Sequence, residues 1–528
     1  MMSTLGSKSK VEISKRLVLI NSASSLVTRL LSISVLIWLQ QYLLKRITPE
    51  EYSLLPVLYS VMMFAPLVTT ILTGGLGRYI VEAYAKDDDE RVTQIVSTMF
   101  PILCVVGLVF LICGWTFAWY IGSVLNIAPE RLWDARIMMA LLMFSAAVRL
   151  PLSPFGVGLY VRQKYVLGNI IGVSTEIFRL TLLFSLLFGI GTRVMWVVTA
   201  SVCAEMLSLA IGVIVSRRLV PMLRFRPSHI YWPIAKELTS FGGWSFVASL
   251  ADTIRTSADV IILNRLGTPT DVTCFHVGTL AMSHIHGLYL TARGPLQPAL
   301  TALHATDDKA RLQNVYVRGG RLALWAALLP AVPLMVFSRE LITLYVGEQY
   351  IQAGSVMLIS LTLFPIAYGS SMTVAMANAK KMMRPWALII ATTNLVNLVL
   401  TFYFVGQLKM GAVGSVTATM VAVCFFYPLF VFPLGLRLVG VSLKRWLRET
   451  MIPGLCPAVF GAAVGLVIEL MCDLQTWPTL ILAMIPGGLV YTVGVLVYLG
   501  EDDRLDMQRV WEKARGFVEK KRTATSDA

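Results

Sequence analysis

Residues 241–276 read FGGWSFVASLADTIRTSADVIILNRLGTPTDVTCFH. The first part of this stretch is apolar and long enough to span a bilayer, yet Asp252, Arg255 and Asp259 sit in its middle. Spacings of three and four put these side chains on one helical face. A charge at membrane depth costs about 3 kcal/mol on insertion scales, so this face must turn to protein or water and not to lipid. The loop at its end, TPTDV at Thr268–Val272, echoes TPEEY at Thr48–Tyr52. The stretch is thus a membrane span with a charged face and also the start of a second copy of something.

Composition agrees with a membrane protein. The chain has 528 residues, 56% hydrophobic and 14% charged, with a mean hydropathy of +0.71. Soluble domains carry about 25% charged residues, so this is an all-α polytopic membrane protein with no room for a sizeable soluble domain. The net charge of +15 lies in short loops, as positive-inside bias would place it, and no nucleic-acid partner is expected. Most of the seven cysteines lie inside apolar runs and none forms CxxC, so they read as small core residues. No cofactor motif is found: Gly75-Leu76-Gly77 ends a span without a βαβ context. The basic N-terminus (Lys8, Lys10, Lys15, Arg16) precedes an apolar run longer than the ~7–15 residues of a signal-peptide core, which reads as the first span.

Working outward gives about fourteen spans, at 17–43, 53–82, 92–119, 132–160, 165–189, 193–216, 240–265, 271–303, 316–338, 352–378, 385–407, 410–436, 450–470 and 477–499. With the N-terminus inside, and with Arg193, Arg265, Arg318 and Arg321 at span ends counted with the adjoining loops, Lys and Arg number 31 in inside segments and seven in outside loops. That bias predicts cytoplasmic N- and C-termini in a cell inner (plasma) membrane. The TPEEY/TPTDV echo extends into a repeat at an offset near 220 residues: Phe144 and Ala147 match Phe364 and Ala367, VTASVCA from Val198 matches VTATMVA from Val416, and Arg162 matches Lys381. Six spans per copy make the repeats parallel, and such repeats commonly hold the substrate site at their interface. The expected organisation is a cytoplasmic N-terminus (1–16), an N-lobe (17–216), a basic linker (217–239), a C-lobe (240–436), two extra spans (437–500) and a cytoplasmic tail (501–528). The tail reads as an amphipathic surface helix over 501–521.

Five arginines lie well inside spans: Arg29, Arg149, Arg179, Arg255 and Arg293. Arginine stays charged and binds phosphate bidentately, so several at membrane depth suggest a polar cavity for a phosphate-bearing anion. The competing interpretation is structural pairing. It is strong for Arg179, with Glu176 one turn away, and for Arg255, flanked by Asp252 and Asp259. Arg29, Arg149 and Arg293 have no acid within four positions and are the candidate anion ligands. Ser25 and Ser32 join Asn21 and Arg29 in a polar stripe at helical spacing. Glu176, Glu205, Asp252 and Asp259 are candidate gating or ion-coupling acids, with ion pairing the favoured alternative. Arg29 lies 19 residues before Thr48 and Arg255 lies 13 before Thr268, so the two are not symmetry mates. His284 and His286 do not share a helical face and lack a completing acid or Cys, which disfavours a metal. The acidic run Asp87–Glu90 reads as a solvated turn.

Three stretches carry a family resemblance. They are ITPEEYSLLPVLYSV followed by LTGGLGRYIVEAYAKDDDERV, ADVIILNRLGTPTDVTCFHVG, and LYVGEQYIQAGSVMLI leading through AMANAKKMMRPWALIIATTNLVNLVLTFYFVGQLKMGAVGSVTATM. The chain resembles the Wzx-type polysaccharide/O-antigen flippases of the MOP (MATE-like) superfamily over nearly all of residues 15–435. The resemblance implies two six-helix lobes that alternate access. It also implies an undecaprenyl-diphosphate-linked oligosaccharide as cargo, membrane lipids as surroundings, and polysaccharide polymerase or chain-length machinery as partners. A basic residue in span 1 is common in that family, which puts Arg29 at a matching position. Rival functions remain: a cation-coupled drug exporter of the same fold, although span 1 carries Arg29 and no carboxylate; a membrane glycosyltransferase, ligase or polymerase, disfavoured by outer loops of about a dozen residues near 120–131 and 339–351; and a lipid-scrambling protein.

Overall fold

The structure is a computed structural model that describes residues 37–65, 76–162, 164–236, 257–293, 309–380 and 382–500, together with 34, 72–73, 250, 253 and 503–504. All regular elements among the described residues are helical. They include α1 (Pro49–Tyr52), α2 (Leu54–Met62), α3 (Leu76–Ala85), α4 (Asp89–Trp119), α5 (Leu132–Leu152), α6 (Tyr165–Gly189), α7 (Met195–Leu219) and α8 (Pro269–Arg293). The chain continues through α9 (Lys309–Val336), α10 (Ser338–Val346), α11 (Gln352–Thr362), α12 (Phe364–Gly369), α13 (Met372–Ala379) and α14 (Met383–Thr401). It ends with α15 (Gly411–Phe426), α16 (Phe432–Val439), α17 (Ile452–Met471) and α18 (Trp477–Val497). Among the described residues, ten helical stretches are long and apolar enough to cross a membrane, and each overlaps one of the fourteen spans expected from the sequence. The other four spans, 17–43, 53–82, 240–265 and 271–303, all include residues outside the described set. This is a multi-pass membrane protein.

Backbone contacts gather the chain into two units. One comprises Met1–Leu280, Tyr345–Val356 and Ala387–Ala422; the other comprises Ala281–Leu344, Met357–Trp386 and Val423–Ala528. In the first unit, loops that charge bias assigns to one side meet one another. The Asn126 N–H donates to Asn264 Oδ1 (2.9 Å), and Asn264 Nδ2 returns a bond to the Asn126 carbonyl (3.0 Å). Tyr345 Oη donates to the Ile37 carbonyl (2.6 Å). Burial pushes the Tyr52 and Tyr345 phenols up, and lifts Tyr350 to about 12 with help from Cys274 and Glu50. Segments assigned to the opposite side also meet: Arg162 donates to Tyr84 Oη (2.7 Å), and Thr93 Oγ1 donates to the Met222 carbonyl (3.1 Å).

The repeat has a structural counterpart at the start of each copy's sixth span. Glu51 Oε1 accepts from the Val194 N–H (3.0 Å), just before α7. Asp271 Oδ1 accepts from the Ala412 N–H (3.1 Å), in the first turn of α15. The acid of each TPxE/D loop therefore caps a helix that enters the membrane, where an orphan donor has no water to satisfy it.

The second unit solves a proline problem. Pro453 and Pro457 have no N–H to offer the carbonyls four residues back. Those two carbonyls, of Glu449 and Pro453, accept from Arg321 Nη1 (3.2 Å) and Trp325 Nε1 (2.9 Å), which stand one turn apart on α9. Close packing follows: a Cβ on Gly454 would lie 2.5 Å from Leu324 Cδ1. Arg318 and Arg321 also converge on the nearly fully buried Asp503, which pins the beginning of the C-terminal tail to α9.

Candidate functional site

Three helices of the first unit, α5, α6 and α7, enclose most of a cavity of about 720 Å³. Its width follows from residue size. Gly156, Gly212, Ala204, Ser153, Ser201 and Ser208 line it, and a Cβ on Gly156 or Gly212 would meet nothing within 4 Å. Thr175 spends its hydroxyl on the carbonyls of Ile171 and Gly172 in its own helix (3.0 Å each). Small and polar residues thus open a wall that Leu152, Val157, Tyr160, Leu209 and Val213 complete with larger side chains.

Two arginines and two glutamates stand in this wall, and their pairings differ. On α6, Arg179 Nε donates to Glu176 Oε2 at 3.0 Å and its Nη2 donates to Oε1, a bidentate fork one helical turn long. The side chains are 14% and 27% exposed, so this pair is largely closed to a guest. The second pair crosses between helices. Arg149 Nη1 of α5 reaches Glu205 Oε1 of α7 at 3.3 Å, while Ser145, one turn before Arg149, donates to Oε2 at 2.7 Å. Here the arginine side chain is 69% exposed and the glutamate 41%. Glu205 is held by two residues at i and i+4 on α5, but Arg149 spends one long bond on it. Most of the arginine side chain stays exposed where Arg149 lines the cavity, which leaves donors for a carboxylate or phosphate.

The sequence-predicted residues fall into three groups. Arg149, Glu176, Arg179 and Glu205 come together in this cavity. Asp259 lies apart from them, buried, accepting from Thr401 Oγ1 at 3.0 Å. Ser25, Arg29, Ser32, Asp252 and Arg255 lie outside the described residues, as does the side chain of Arg293. Sequence reasoning named Glu205 but missed Ser145 and the other members of the α7 stripe formed by Ser201, Glu205, Ser208 and Gly212. That stripe runs at intervals of four, three and four, which is one helical face, and was available as a signal.

Solved structures of known proteins share this arrangement of helices. The lipid II flippase MurJ in an inward closed conformation superposes with a TM-score of 0.66 over 91% of this chain and 98% of its own, at 14% identity. An inward-facing multidrug resistance MATE transporter of the MOP superfamily gives 0.60 over 76% and 94%, also at 14% identity. A MOP superfamily transporter from Pyrococcus furiosus gives 0.57 over 84% and 100%, at 13% identity. The fold is that of the MOP-superfamily transporters.

Residues 14–304 match the family described as polysaccharide biosynthesis protein, and the chain belongs to that family. It is 22% identical over 516 residues to the uncharacterized membrane protein EpsK of Bacillus subtilis (strain 168), covering 94% of this chain and 99% of EpsK.

Proposed function

We propose that the protein is a flippase that moves an anionic polyprenyl-diphosphate-linked oligosaccharide from the inner to the outer leaflet by alternating access, for cell-surface polysaccharide (O-antigen, capsule or exopolysaccharide) synthesis. It does no covalent chemistry. One observation carries this reading: an arginine at membrane depth, lining a cavity opened by small residues, that keeps most of its side chain exposed beside a single long bond to Glu205. Family membership supplies the polysaccharide context. The diphosphate enters from the cytoplasm and is held by Arg149, with Arg29, Arg293, Ser25 and Ser32 completing the set. The two six-helix lobes, 17–216 and 240–436, then rock about the linker. Glu176, Arg179, Glu205, Asp252, Arg255 and Asp259 serve gating or ion coupling. Moving two negative charges outward across 100 mV is favoured by about 4.6 kcal/mol.

The test is transport of a polyprenyl-diphosphate oligosaccharide in proteoliposomes. A charge-assisted bond contributes about 1.5–3 kcal/mol, so Arg149→Ala should lower transport about 10- to 100-fold. Undiminished transport by an inserted Arg149→Ala protein would sink the site assignment. The half-exposed carboxylate of Glu205 supports a second reading, a cation-coupled exporter. Ion-driven efflux of a cationic dye, lost in Glu205→Gln but kept in Arg149→Ala, would decide for it.

A further inference from the structure

The segment that follows α7, residues 220–236, takes no part in the cavity. No acidic residue occurs between Glu205 and Glu237, while Arg217, Arg218, Arg224, Arg226 and Lys236 all lie there. Its inner side is fixed. Val220, Leu223 and Ile234 are buried in one core with Ile80, Val92 and Val96. Hydroxyls of α4 hold its backbone: the Arg226 N–H donates to Ser97 Oγ and the Tyr231 N–H to Thr98 Oγ1, both at 2.9 Å. The segment is therefore a fitted strap along α4, not a slack tether.

Its outer side is of another composition. Arg224, Phe225, Arg226, Tyr231 and Trp232 are all exposed, Trp232 by 64% and Tyr231 by 50%. The strap starts directly after a membrane span whose last turn carries Arg217 and Arg218, so this face lies at headgroup depth. Trp and Tyr prefer that depth, and arginine forks match phosphate. We propose that the strap docks on anionic phospholipid headgroups and ties the adjoining ends of α4 and α7 to the bilayer surface. The membrane beside it supplies that lipid continuously, and charge bias assigns the strap to the cytoplasmic leaflet, which is the anionic one. The strap itself carries arginines and no acid, which favours negative headgroups over zwitterionic ones.

The full-length protein tests this in nanodiscs of phosphatidylcholine alone or mixed with phosphatidylglycerol. Hydrogen exchange in the 220–236 peptides should slow several-fold when phosphatidylglycerol is present, with α6 peptides unchanged; equal exchange in both lipids overturns the proposal. Native mass spectrometry gives the second arm. The wild type should retain phosphatidylglycerol in preference to phosphatidylcholine. Arg224→Gln with Arg226→Gln should weaken that preference by about fivefold per arginine. A double variant that keeps the wild-type preference overturns the assignment to this strap, and because neither arm measures transport, the result is independent of the flippase reading.

Discussion

The loops at Thr48–Tyr52 and Thr268–Val272 follow the first span of each copy of one repeat, and they perform one task with different chemistry. Each places a proline at the first helical position, where a missing N–H does no harm. Each then uses the acid two residues later to cap the start of the copy's sixth span. In the first copy the acid is glutamate. Its second oxygen holds Arg131 at 2.9 Å, so one carboxylate serves a helix cap and an ion pair. In the second copy the acid is aspartate, one methylene shorter. Its second oxygen turns back to the Thr268 N–H (2.9 Å) and Oγ1 (2.7 Å). With less reach, the backbone must come closer, and Gly411 stands where Arg193 stands in the first copy. Gly411 has φ +54°, and a Cβ there would lie 2.0 Å from Asp271 Oδ1. Side-chain length in one loop thus dictates which residue is tolerated about 140 positions later.

That comparison is broken most severely at Gly411. Gly411→Ala adds left-handed strain of about 1–2 kcal/mol and displaces the Asp271 carboxylate, forfeiting a cap of similar worth. A total of about 3 kcal/mol should appear as a marked drop in the unfolding midpoint of the detergent-solubilised protein. Asp271→Ala comes next, at about 1–2 kcal/mol for the lost caps. The double variant sharpens the point. Once the carboxylate is gone, Gly411→Ala should cost only the backbone strain, so the two effects should sum to less than their parts. Full additivity would mean that the glycine is there for some reason other than Asp271.

The echo of the two loops was legible in the sequence, because both copies keep Thr-Pro and an acid at the same offsets. Its purpose was not, because the capped N–H groups lie 143 and 141 positions away. Pattern reading sees neighbours within a turn or two. It therefore found Glu176 beside Arg179 and missed Glu205 as the partner of Arg149, 56 positions off. The ten described spans were legible from hydropathy alone, since twenty apolar residues admit few other fates. Arg318 and Arg321 show the opposite limit. By sequence they stand at the inner end of the span 316–338 and count toward the inside charge, yet they bind Asp503, and Arg321 also serves the Glu449 carbonyl four residues before Pro453. A charge count reports the side of the membrane, not the partner.

The smallest expected effect discriminates most finely between the two loops. Glu51→Gln keeps an oxygen for the Val194 N–H and removes only the charge that faces Arg131. Arg131 is 30% exposed and has Asp134 at 3.9 Å, so water and a second carboxylate can take up its charge. The cost should be about 0.5–1 kcal/mol, and it should shrink as salt screens the wild-type pair. Glu51→Ala, which loses the cap as well, should cost about 1 kcal/mol more and should keep that excess in high salt. If Glu51→Gln proved as damaging as Asp271→Ala, the charge and not the cap would be the main duty of the first loop. The two copies would then share a sequence pattern without sharing its physical use.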